Sequence, residues 1–161
     1  LLMSVLVSRR QRVVKAGTGI TVTNAGNNAT VAIDAAVQAD QETATSVAKV
    51  VVPGVQHYHP SAAKAWVFAD GASAAIAASY NITSTTDTAA GRIVVTIATD
   101  FSSANYAIVA TGSLTATGDA LRACQVIDNQ HAVGSIEVDC VSHTPTRADP
   151  GTYHIVMFGD Q

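Results

Sequence analysis

Arg92-Ile93-Val94-Val95-Thr96-Ile97-Ala98-Thr99 alternates along its length, with Ile93, Val95 and Ile97 on one side of an extended chain. A period of two marks a half-buried strand, because successive side chains leave opposite faces of the pleat. Ser135 to Ser142 repeats the pattern, with Ile136, Val138 and Cys140 opposed by Glu137 and Asp139. Outward from these two runs, five more short strands are predicted at 65–69, 74–83, 106–112, 122–127 and 153–158. Turn-forming residues lie between nearly all of them, at Asp70-Gly71, 87–91, 102–105, Gly118-Asp119, Asp128-Asn129 and 145–151. Seven strands at this spacing predict an all-β fold, an antiparallel β-sandwich spanning 57–161.

Composition points the same way. The 161 residues include 29 Ala, 21 Val, 18 Thr and 10 Ile but only 5 Leu, so β-branched side chains dominate and a helical bundle is disfavoured. With 48% apolar and 13% charged residues, the chain is neither disordered nor strongly charged. The net charge of −3 gives no electrostatic reason to expect nucleic acid as a partner. Arg9, Arg10, Arg12 and Lys15 form a basic cluster that reads as a solvated terminal arm rather than an anion-binding site. No run of about 20 apolar residues suits membrane insertion as a helix. The opening Leu1-Leu2-Met3 is not a natural start, and the chain is expected to be a fragment of a longer protein or its ordered part.

The first 36 residues carry a weak hairpin, Ile20 and Val22 against Val31 and Ile33 around Asn24-Ala25-Gly26-Asn27-Asn28. A two-stranded hairpin does not stand alone in water, so this segment is expected to pack on something else. Residues 37–56 read as a connector, with a short helix around 35–42 and an extended Val50-Val51-Val52 before Pro53-Gly54. Ala72, Ala74, Ala75, Ala77 and Ala78 bracket Ile76 in a strand with little bulk on either face, which close approach of another chain would use. Self-association is the economical way to bury both features.

Few residues carry chemistry. His57 and His59, at i and i+2 of a segment read as extended, would project to one side. Copies around a three-fold axis would offer six ring nitrogens to an axial transition-metal ion such as iron or nickel. The favoured expectation is no cofactor, with one His hydrogen-bonded and the other in solvent. Trp66, the single tryptophan, is expected to anchor the core, with a sugar-stacking platform as the second reading. Tyr80, Tyr106 and Tyr153 are expected in the core or at an interface. Cys124 and Cys140 flank a turn region on strands that could be neighbours. A disulfide is one outcome, and buried free thiols are the favoured one. The carboxylates are scattered, mostly in turns, and no Gly-x-Ser-x-Gly elbow occurs, so no enzyme is expected.

One stretch carries a resemblance. Val52-Pro53-Gly54-Val55-Gln56-His57-Tyr58-His59-Pro60-Ser61-Ala62-Ala63-Lys64-Ala65-Trp66-Val67 resembles the entry to the C-terminal domain of tailed-bacteriophage tail fibre or tail-tip proteins. Ser79-Tyr80-Asn81-Ile82-Thr83-Ser84 and the closing Val156-Met157-Phe158-Gly159 resemble later parts of the same pattern. Ala16-Gly17-Thr18-Gly19-Ile20-Thr21-Val22 resembles a fibre-shaft repeat. The likeness covers about residues 50–159. Phe68 stands where such proteins often have Asn, and the following turn is Asp70-Gly71-Ala72. The resemblance implies a homotrimer on a virion tail, in contact with other phage tail proteins and attached to a host-surface glycan or protein. It implies structural roles for His59, Pro60, Lys64, Trp66, Tyr80 and Asn81. Receptor contacts are expected in the turns at 87–91, 115–120 and 143–152, because loops vary without disturbing a sandwich. A purely structural virion component and, less favoured, a polysaccharide depolymerase with a carboxylate pair between subunits are the alternatives.

Overall fold

The computed structural model describes residues 20–25, 28–43, 49–114, 122–144 and 146–161, and the chain divides into two compact units, 1–56 and 57–161. The basic cluster at 9–15, the Gly17-Thr18-Gly19 turn and the 115–120 loop lie outside the described residues.

In the first unit, β1 (Ile20–Ala25) and β2 (Asn28–Ile33) pair antiparallel, with Val22 opposite Val31. Val31 and Ile33 are 57% and 62% exposed, so the β2 aliphatics of the hairpin are left unburied in this unit. The helix α1 is shorter and later than the sequence suggests, Gln38–Thr43. Ala35 forms a parallel bridge with Val50, and the Ala36 amide donates to the Val50 carbonyl at 2.9 Å. The backbone at 35–36 is therefore committed to extended pairing before the helix can start. Asp40 fastens the helix by accepting from the Val37 amide and from Lys49 Nζ, both at 2.9 Å.

The second unit is a sandwich of two four-stranded antiparallel sheets. Sheet I has the order β4 (Ile76–Tyr80), β3 (Ala63–Asp70), β10 (Thr152–Phe158), β7 (Ala107–Gly112). Sheet II has the order β5 (Ile82–Ala89), β6 (Arg92–Ile97), β9 (Ser135–Ser142), β8 (Arg122–Val126). The alternation in β6 and β9 sends Ile93, Val95, Ile97, Ile136, Val138 and Cys140 into the core against Val67, Ile155 and Met157 of sheet I. Each large aliphatic side chain so buried contributes roughly 1.5–3 kcal/mol.

Among the described residues the sandwich has eight strands, one more than expected. The run read as one strand at 74–83 breaks at Asn81, whose φ of 56° turns the chain out of sheet I and into sheet II. Asparagine tolerates this left-handed conformation better than most residues. Its side chain then ties both sheets together: Nδ2 donates to the carbonyls of Lys64 and Thr99, each at 3.1 Å, and Oδ1 accepts from the Thr99 amide at 2.8 Å. Beyond the break, pairing with β6 runs from Ile82 to Ala89. Asp87 is thus a strand residue, and only the end of the expected 87–91 loop is a turn. Gly91, at φ 73°, closes that turn where a Cβ would collide with the Cys140 carbonyl.

The cysteines also correct an expectation. Cys124 and Cys140 are directly opposite in the β8–β9 ladder and form a disulfide rather than two free thiols. Apolar surroundings alone favour buried thiols, but the register places the two Cα atoms only 4.1 Å apart, the spacing of a non-hydrogen-bonded pair. The bond secures β8, an edge strand, to the interior of sheet II.

Candidate binding face

On β3 the residues alternate, Ala65, Val67 and Ala69 pointing inward and Trp66 outward. Trp66 is therefore not a core anchor. Its phase is set by Val67, whose aliphatic side chain fits between the sheets. Register carries the outward row across the sheet: Tyr80 of β4 is opposite Trp66, Trp66 is opposite Val156 of β10, and Val156 is opposite Val109 of β7. Residues directly opposite in adjacent strands share a face. Tyr80, Trp66 and Val109 are 47%, 36% and 58% exposed, so the row is uncovered at both edges and near its middle.

The neighbouring row is more polar. Phe68 is opposite His154, and His154 is opposite Thr111. The rings of Phe68 and His154 lie 4.8 Å apart. His154 Nε2 is 3.0 Å from the Thr152 hydroxyl, which is 2.7 Å from the Ser113 hydroxyl, a short chain of groups able to donate or accept. Asp70 closes this end of the sheet opposite Thr152. Its carboxyl is held below the usual carboxylate range by the Ser73 hydroxyl and amide, so it stays ionised at neutral pH.

The outer face of sheet II differs in character. Arg92 lies 3.6 Å from both Glu137 and Asp139, and Arg147 Nε reaches both Asp139 oxygens at 2.8 and 3.0 Å. Asp139, Val141, Thr146 and Arg147 line a shallow depression of about 430 Å³. The neighbouring acids Glu137 and Asp139 are thus engaged by arginines. The outer face of sheet II is ionic, whereas that of sheet I is aromatic, with ionised Asp70 at one end.

The remaining expected residues fall elsewhere. His57 lies in a 3-10 turn, Gln56–Tyr58, and not in an extended segment, so the premise that placed both imidazoles on one side does not hold. The His57 ring packs on Tyr58 at 3.9 Å, while His59 Nδ1 is met by the Ser61 hydroxyl at 2.6 Å. Among the described residues no three His, Cys, Asp or Glu side chains group as metal ligands. Pro60 follows in the same connection, and buried Lys64 donates through Nζ to the His57 carbonyl, fixing that connection to β3. Tyr106 and Tyr153 are core residues. Tyr106 stacks on Phe101 at 3.9 Å and donates to the Ala132 carbonyl at 2.8 Å, and burial pushes its hydroxyl up to about 12. Burial also raises Tyr153.

Sequence reasoning missed Val109, His154 and Val156 as members of the face. Nothing in their own strands distinguishes an uncovered outer row from a solvated one, and only cross-strand register joins them to Trp66. Comparison of the chain with family models, curated proteins and solved structures finds no match in any of the three.

Proposed function

We propose that this chain is a component of a virion tail fibre or tail tip that attaches the particle to a host-surface receptor by multivalent binding. The observation that carries the reading is the outward row Tyr80, Trp66, Val156 and Val109 of sheet I, in which Tyr80, Trp66 and Val109 stand exposed side by side. Exposed, contiguous apolar patches on small proteins commonly serve as interaction sites. The likeness of residues 50–159 to tail-fibre C-terminal domains supplies the biological setting.

Assembly falls to the first unit. Val31, Ile33 and Val37 are more than half exposed there, and three hairpins brought together would cover what one cannot. Three sandwiches in one assembly then act jointly. A weak contact at each becomes a tight attachment, because the second and third contacts form at high effective concentration, a gain of about 10²–10⁴.

Light scattering on the purified chain, followed by binding to a panel of bacterial envelope preparations, tests this reading. Three copies per particle and retention on some envelopes are expected. A compact single copy at micromolar concentration, or no retention on any envelope, would defeat it.

A further inference from the structure

The aromatic row and the polar row beside it have complementary uses for one class of ligand. We infer that the outer face of sheet I is a platform for a neutral oligosaccharide, with Trp66 and Tyr80 under the apolar faces of adjacent sugar rings and His154, Thr111 and Thr152 bonding their hydroxyls. This deepens the attachment reading and rests on it.

Size argues against a protein occupant. Four strands at roughly 4.8 Å spacing make a row about 14 Å wide, and the three same-face positions used along β10, 156, 154 and 152, span about 14 Å. That footprint is far smaller than the ~800 Å² per partner of a standard protein interface. It matches the span of a short saccharide lying across the strands.

Chemistry narrows the class further. Sugar rings present C–H groups on one side and hydroxyls around the rim, so they need an aromatic surface bordered by groups that both donate and accept. The His154–Thr152–Ser113 chain borders the aromatic row, and its hydroxyls turn either way. Between Tyr80 and Val109 the row holds no charged side chain. The acid at its border, Asp70, disfavours an anionic sugar.

Trp66 is the sole tryptophan, so its emission reports this face alone. The intact protein would be titrated with neutral di- to hexasaccharides of glucose, galactose, mannose and N-acetylglucosamine, with acrylamide quenching measured in parallel. At least one sugar series is expected to shift the emission and reduce quenching. His154→Ala is expected to weaken binding several-fold, and Trp66→Ala, followed by calorimetry, to weaken it about tenfold or more. Trp66→Phe keeps an aromatic surface and should retain part of the affinity, which separates loss of stacking from loss of folding. If envelopes bind but no neutral sugar perturbs Trp66, the ligand assignment is overturned while attachment stands. If envelope binding is itself absent, attachment fails first. A concentration-dependent blue shift without sugar would instead identify a second copy of the chain as the occupant and overturn the assignment.

Discussion

Asn81 illustrates how one side chain can set the course of a sandwich. A residue at φ 56° with three side-chain hydrogen bonds to Lys64 and Thr99 does two jobs, allowing a sharp turn and holding together the segments it separates. Asn81→Ala loses both, and a drop in unfolding free energy of about 2–4 kcal/mol is expected from chemical denaturation. Asn81→Gly restores the backbone freedom alone, so its loss should be clearly smaller. Equal losses for the two substitutions would assign the whole effect to the hydrogen bonds. The asparagine is visible in the sequence, inside Ser79-Tyr80-Asn81-Ile82, but its partners at 64 and 99 are distant along the chain. At Trp66 the difficulty is of another kind. Period-two reading of Ala65 to Ala69 leaves the inward side ambiguous, because the true inner positions 65 and 69 are alanines and the outer ones carry Trp66 and Phe68. Side-chain size alone would turn this strand over. Asp70, in phase with Trp66, is the signal that fixes it.

At the level of elements, the edges of the sheets show where stability depends on more than the ladder. β8 pairs only with β9, and the Cys124–Cys140 disulfide crosses that single pairing. Closing a loop of this length in the unfolded chain contributes roughly 3 kcal/mol. Reduction by a thiol reagent is therefore expected to lower the thermal midpoint by several degrees while the far-ultraviolet circular dichroism remains that of a β protein. An unchanged midpoint in the fully reduced protein would show that β8 is held by packing alone. β4, the edge strand of sheet I, is exposed at every residue and has no such clamp. Its alanines match the expectation that this strand has little to bury within one chain. The strands of high alternation, β6 and β9, lie at the centre of sheet II and were legible at once. The β4–β5 division was not, since nothing in local propensity distinguishes one long strand from two strands that belong to different sheets.

Across the whole molecule, buried side chains are distributed unequally between the two units. Residues 57–161 contain the fifteen-residue core cluster, whereas the first unit leaves Val31 and Ile33 of its hairpin in solvent. A fragment comprising 57–161 is expected to fold and melt cooperatively as a single copy, while the full chain assembles into trimers. Sedimentation of the two side by side checks this, and a trimeric fragment would move assembly from the first unit to the sandwich. What the sequence determined by itself was the class of structure: β-branched residues at period two, punctuated by Gly, Asp and Asn, admit little but antiparallel strands with one buried face. Tertiary structure alone decided which strands share a sheet and therefore which residues share a surface. Pairing register is a relation between distant segments, and a row such as Tyr80, Trp66, Val156 and Val109 does not exist until four of them lie side by side.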